Sequence, residues 1–336
     1  MATKKIFITG VAGFLGSHLA DAFLKLGYTV AGCDNFIGGY KDNLSPEIEF
    51  HECDCVDFER MKTLLAGVDI VYHCAATAYE GLSVFAPNFI TQNIVQASVS
   101  MMSASIASGV KRFIYCSSMA RYGENQVPFT EDMIPRPQDP YGIGKYSGEL
   151  FLKNLSEVHG MEYVIMVPHN IIGPRQKYDD PYRNVASIMI NRMLQGKQPV
   201  VYGDGEQMRC FSFIQDDIDI LLIAAEAPQA VGEIINIGPD HEFVSINTLA
   251  TTIADLLQFP LDPIHVPGRP QEVKLANCSA DKARKLFDYQ PKTSLRDGLS
   301  AMIDYIRTRG PKPFEYHIGL EILTPKTPKT WSEKIF

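Results

Sequence analysis

An apolar run that ends in spaced glycines and then turns helical leaves a chain few folds to adopt. Lys5-Ile6-Phe7-Ile8-Thr9 predicts a buried strand, and Gly10-Val11-Ala12-Gly13-Phe14-Leu15-Gly16 follows without a break. Leu15, Leu19, Ala22, Phe23 and Leu26 then recur with helical period, and Gly27 closes the helix. Strand, glycine loop and helix in that order suit a pyrophosphate. Small residues let the backbone come close, and the free amides of the helix start point at the anion. The spacing is G-x-x-G-x-x-G, not the tighter G-x-G-x-x-G fingerprint, and the loop alone is weak evidence. A second strand, Tyr28 to Cys33, ends in Asp34, 18 positions beyond Gly16. A carboxylate there can bond both hydroxyls of an adenosine ribose. It would repel a 2′-phosphate and no arginine follows directly, which favours NAD over NADP. The plain alternative is a turn-forming aspartate after a strand.

The same alternation continues. Ile48 to Cys53 ends at Asp54, Asp69 to Cys74 runs into Ala75-Ala76, and a helix over Thr91–Ser108 carries Asn93. Arg112 to Cys116 opens into Ser117-Ser118-Met119-Ala120-Arg121, and Glu162 to Val167 is a sixth strand. Strands alternating with helices imply right-handed crossovers and a parallel sheet, with ligands at the carboxyl ends of the strands. Gly10, Asp34, Asp54, Ala75 and Ser118 all follow strand ends, and that agreement outweighs any one motif.

The expected fold is α/β: a doubly wound parallel Rossmann sheet over residues 1–170, with a smaller C-terminal α/β substrate-binding lobe over 171–310. Within 211–240, the strand Glu233 to Ile237 is expected to return to the main sheet. The lobe is expected to hold a helix from Asn184-Val185, strands over Pro199–Tyr202 and Cys210–Ile214, and helices over 246–258 and 280–307. Asp216-Asp217 resembles a carboxylate pair, but a helix follows at once and helix capping is the better account. Prolines interrupt any pattern in 311–336, so an extended surface tail is expected there, with Trp331 as its anchor.

Asp139-Pro140 is a helix start, aspartate as cap and proline in the first turn. Tyr141 and Lys145 then share one helix face. A free tyrosine titrates near pH ~10, and an adjacent ammonium lowers that value, so the pair can serve as a tuned base if a substrate hydroxyl reaches it. The spacing also occurs on many exposed helices. Only the surrounding motifs decide between the two.

The chain has 336 residues and a net charge of -8, which argues against a nucleic-acid partner. No apolar run is long enough to span a membrane. Seven scattered cysteines and no leader peptide suggest a reducing cytoplasm. Cys53-Asp54-Cys55 lacks a second ligand pair and the histidines show no metal-ligand spacing, so no metal is expected.

Taken together, Gly10, Gly13, Gly16, Asp34, Asp54, the segment His73-Cys74-Ala75-Ala76, Ser118, Tyr141 and Lys145 resemble the extended short-chain dehydrogenase/reductases that act on nucleotide sugars. The resemblance spans about residues 4 to 307. It implies NAD held by Gly10, Gly13, Phe14, Leu15, Gly16, Asp34, Asn35, Asp54, Cys55, Cys74, Ala75, Ala76, Asn93, Tyr141, Lys145 and Pro168. It implies catalysis by Ser118, Tyr141 and Lys145, and a nucleotide sugar, UDP-linked by default, held by Ser118, Asn170, Asn184, Tyr202, Arg209, Arg269 and Glu272. Two guanidinium groups, Arg209 and Arg269, would offset the acidic background at a diphosphate. Val167 and His169 depart from the family pattern, and His169 reads better as a hydrogen-bonded wall residue than as a catalyst. A homodimer is common in the family.

The reaction so implied is 4-epimerisation: Tyr141 takes the C4 hydroxyl proton, the sugar becomes a 4-keto species, and hydride returns to its other face. Lys145 is expected to lower the tyrosine pKa, and Ser118 to position the hydroxyl. The alternatives are a 4,6-dehydratase, which carries Asp-Glu where this chain has Met119-Ala120, a decarboxylase, which has a glutamate near Ala120, and a non-catalytic NAD sensor, which commonly loses Tyr141 or Lys145.

Overall fold

The structure, a computed structural model, describes residues 4–336. Seven strands form one parallel sheet: β1 (Lys5–Thr9), β2 (Thr29–Asp34), β3 (Glu49–Glu52), β4 (Ile70–His73), β5 (Arg112–Cys116), β6 (Glu162–Pro168) and β7 (Ile234–Ile237). Their order is β7-β6-β5-β4-β1-β2-β3. The chain therefore grows outward from β1 in both directions. Ile6 pairs with Val30 on one side and with Ile70 on the other. A cleft opens where the order reverses, at the carboxyl ends of β1 and β4.

Both faces of the sheet are covered, as a parallel sheet requires. Ile6 and Ile8 face one apolar cluster, completed by Leu19 and Phe23 of helix α1 (Phe14–Lys25) and by Ile218 and Leu221 of the helix Ile214–Ala224. Phe7 between them faces the other, with Met61, Met101 and Leu152. A third cluster, built on Met189, Ile190, Leu249, Ile253, Leu299 and Ile303, belongs to the helices Val185–Leu194, Ile246–Leu257 and Leu295–Arg309.

Several elements differ from expectation. The helix expected over Thr91–Ser108 starts earlier, at Pro87, and widens into a π turn over Gln92–Gln96 before Ala97–Ala107. The stretch 280–307 is two helices, Asp281–Phe287 and Leu295–Arg309, separated where Asp288 turns left-handed at φ 54. The Cys210–Ile214 strand shrinks to Ser212–Phe213, because Ile214 already begins the next helix. The tail does not simply lie along the surface. Trp331 is buried, its indole N–H donating to Pro181 O at 3.1 Å. Glu321 accepts from the amides of Asn88 and Phe89 at 2.9 and 2.7 Å.

Asp216 and Asp217 do not cap the helix that carries them; Phe213 occupies the cap and forms no side-chain cap bond. Asp216 instead accepts from the amide of Thr293 at 3.1 Å, and Asp217 accepts from the Ser212 hydroxyl. Burial, the larger cause, and the neighbouring Asp216 push Asp217 up to about 8 against the Ser212 hydrogen bond. Its folded pKa is raised above the unfolded carboxylate value of ~3.9, so its stabilisation is complete below that value and is lost as pH rises to about 8. Urea denaturation across this range should show Asp217→Asn gaining on the wild type as pH rises, then running parallel above it. Parallel curves throughout would remove Asp217 from this role.

Candidate active site

The loop after β1 is built on a backbone-to-backbone approach. Gly10 has φ +69, and a Cβ there would lie 2.9 Å from Ala75 Cα, so the end of β1 rests directly on the end of β4. A Cβ at Gly16 would strike the Gly10 carbonyl, which lets α1 start against the loop. Gly13 caps α1 with no side-chain bond, leaving the first-turn amides available to an anion. At the end of β2, Asp34 accepts from the amides of Ala12 and Phe36 at 2.9 and 2.7 Å. Burial raises its pKa, and those backbone bonds counter the rise. Beside it Asn35 donates to Asp54 at 3.0 Å, tying the ends of β2 and β3 together. A side-chain-free cradle, open amides and an acid at the second strand fit a dinucleotide.

The helix Pro140–His159 brings in the second set of groups. Asp139 accepts from the Gly142 amide at 2.8 Å and Pro140 occupies the first turn, as expected. A Cβ at Gly142 would lie 2.7 Å from Ala120 O, so glycine lets this helix press on the turn Met119–Arg121. A buried ion pair, Arg121 Nε to Glu149 at 2.9 Å, locks turn and helix together. Ser118, Tyr141 and Lys145 are all buried and line one cavity.

Lys145 and Tyr141 share the buried helix face that the spacing predicts. Lys145 Nζ donates to Cys116 O at 2.7 Å, and burial lowers its pKa to about 8. Burial first and the charge of Glu80 second hold the Tyr141 phenol well above its usual range, while a hydrogen bond from Ser118 pulls it down. The dominant effect is desolvation, which the sequence spacing of two residues cannot express.

On the far wall, Arg209 donates to the carbonyls of Met208 and Val273 at 2.8 and 2.6 Å. Arg269 pairs with Glu272 at 2.7 Å and stacks 4.6 Å over Tyr202, whose hydroxyl meets Thr330 of the tail. Asn184 caps its helix through the Ala186 amide at 2.9 Å, and Asn170, at φ 42, donates to Cys210 O at 2.8 Å. Asn93 lies in the π turn and donates to Phe89 O at 2.8 Å. Cys55, Cys74, Ala76, Phe14, Leu15 and Pro168 complete the walls. Every residue assigned from the sequence to cofactor, catalysis or substrate lines this same cavity. His169 does not; it is buried and hydrogen-bonded to Pro239 O at 2.9 Å, behind the cavity rather than in its wall.

The NAD dependent epimerase/dehydratase family matches residues 6–238. The chain belongs to this family. It is 32% identical to the UDP-N-acetyl-alpha-D-glucosaminuronate decarboxylase of Bacillus cytotoxicus over 90% of this chain and 98% of that one. Among solved structures it is similar to a UDP-glucose 4-epimerase of Thermotoga maritima with UDP-glucose, at a TM-score of 0.85 and 33% identity, covering 91% of this chain and 99% of that one. It is equally similar to the UDP-glucuronic acid 4-epimerase of Bacillus cereus with UDP-glucuronic acid and NAD, at 0.85 and 32%, covering 91% and 100%.

The chain also has cleft residues that no local motif reveals. Glu80, Arg183 and Phe336 also line the cavity. Arg183 stacks 5.4 Å over Tyr79. Its place depends on the turn Asp180–Tyr182, and that of Phe336 on the tail folding back; neither leaves a periodic signal. Gly10→Ala should lower NAD affinity by at least about tenfold, because the loop must shift from Ala75. Titration of NAD into the apo-protein measures it, and unchanged affinity would show that the approach is not needed for the dinucleotide.

Proposed function

We propose that this protein is an NAD-dependent 4-epimerase of UDP-sugars. The observation that carries the reading is the convergence of Ser118, Tyr141 and Lys145 with the glycine cradle in one cavity, with Met119-Ala120 after the serine. That turn holds no acid to remove water or assist loss of a carboxylate. The residue pattern also retains both Tyr141 and Lys145, as a catalyst needs and a sensor does not.

When bound, NAD supplies the acceptor and donor of the C4 hydride. The protein does the rest. Gly10, Gly13 and Gly16 admit the pyrophosphate, and Asp34 takes the ribose hydroxyls. Ser118 orients the C4 hydroxyl toward Tyr141. The tyrosine, which burial keeps protonated, first gives up its own proton to solvent, favoured by the Lys145 ammonium on the same helix face. The phenolate then receives and returns the C4 proton. Lys145 reaches the nicotinamide ribose from its place on Cys116 O. Arg209 and Arg269 exchange their present carbonyl and Glu272 partners for the diphosphate. Held chiefly there, the sugar is free to present either face.

Tyr141→Phe should reduce turnover by about 10²–10⁴-fold while NAD affinity and thermal stability stay near those of the wild type. Near-normal turnover would remove the tyrosine from the chemistry. Product mass separates the reactions: unchanged mass with a new sugar is epimerisation, loss of water dehydration, and loss of carbon dioxide decarboxylation.

We read the protein further as a cytoplasmic homodimer. None of the seven cysteines is in a disulfide. Ile143, Leu150, Phe151 and Val158 are exposed along one side of the helix Pro140–His159, an apolar stripe suited to a second copy. Leu150→Glu with Phe151→Glu should then yield a monomer by light scattering. An unchanged mass would place any interface elsewhere.

A further inference from the structure

Glu80 stands in the cleft and has no part in the reaction as described. It opens the short helix Glu80–Ser83 and lines the cavity with Ser118, Tyr141 and Arg183. The residue is open to the cavity; burial raises its pKa, and its own backbone amide and the charges of Arg269, Arg183 and Arg209 counter the rise. Of the cations around it, Arg269 pairs with Glu272 and Arg209 donates to carbonyls, while Arg183 lies over the Tyr79 ring with its Nε unpartnered.

The Glu80 turn is held in place from three sides. Tyr79 before it is buried and donates to Asp180 at 2.8 Å. Gly81 after it leaves room for Arg269 and Trp331, each 3.2 Å from where a Cβ would stand. Phe85 O accepts from the tail amides of Glu321 and Ile322, both at 2.9 Å. Tyr79, Leu82 and Tyr141 pack in one apolar cluster, so the turn is seated against the helix that carries Tyr141. The charge of Glu80 accordingly acts on both Tyr141 and Asp139, disfavouring ionisation at each.

A sugar placed with C4 at Tyr141 must lie next to this carboxylate. A fixed, unpaired carboxylate accepts hydrogen bonds from hydroxyls and repels a second carboxylate. We propose that Glu80 is the specificity-determining residue of the cleft, accepting a hydroxyl of a neutral hexose and rejecting hexuronates. This rests on the UDP-sugar reading. Arg209 and Arg269 are spent on the diphosphate and Arg183 is stacked on Tyr79, so Glu80 is the carboxylate that a uronate would meet.

The test measures UDP-glucose and UDP-glucuronate affinities by calorimetry, with initial rates beside them, on wild-type holoenzyme, Glu80→Gln and Glu80→Ala. The wild type should bind UDP-glucose at least about tenfold more tightly, and both variants should shrink that ratio about tenfold, mainly by gaining UDP-glucuronate. Three results overturn the proposal: a wild-type preference for UDP-glucuronate, a ratio unmoved within about threefold in both variants, or lost UDP-glucose turnover with the ratio unmoved. The last would make Glu80 a group of the chemistry. If the wild type binds both sugars but inverts neither at C4, epimerisation falls while the affinity ratio still judges Glu80. If it binds neither, the UDP-sugar reading falls and the proposal with it.

Discussion

The backbone of Gly10 lies against the backbone of Ala75, and no side chain fits between them. This contact joins the two strands at which the sheet changes direction. On one side it releases the chain into α1 and its open amides. On the other it sends residues 74–85 across the mouth of the cleft, carrying Glu80. The glycine cradle and the cleft-lining Glu80 therefore share a foundation one contact wide.

Burial governs the chemistry built above it. Tyr141 and Lys145 are both withdrawn from water, and withdrawal disfavours the charged form of each. The phenol is held above its usual range and the ammonium is brought down to about 8. Neighbours then adjust these values: the Ser118 hydroxyl and the Glu80 carboxylate act on the tyrosine in opposite directions. The arginines of the opposite wall are likewise bound to protein groups, Arg209 to carbonyls and Arg269 to Glu272, although the Arg269 Nε is left without a partner.

The C-terminal tail is part of the site. Thr330 meets Tyr202, Trp331 reaches Gly81 and Pro181, and Phe336 lines the cavity beneath the Arg192 guanidinium, 5.6 Å from its ring. Its prolines leave the one-turn helix Lys329–Ser332 as its regular structure, yet apolar burial and backbone bonds to Phe85 hold it across residues 80–91. Cavity-lining groups thus come from chain segments more than 200 positions apart, Glu80 and Phe336 among them.

Sequence order alone determined the features whose causes are local. The glycine spacing, the strand-to-helix alternation, the Asp139 cap and the Tyr141–Lys145 face all depend on residues within a turn or two, and each stands where its pattern puts it. The family motifs likewise brought every assigned cofactor, catalytic and substrate residue to one cavity. Only the tertiary structure decided what depends on distant neighbours. Asp217 is a buried partner of Ser212 rather than a cap, and Lys145 is anchored on the Cys116 carbonyl. Glu80 faces the cleft, and the tail closes over it. Desolvation and long-range packing set these outcomes, and neither is written in the spacing of adjacent residues.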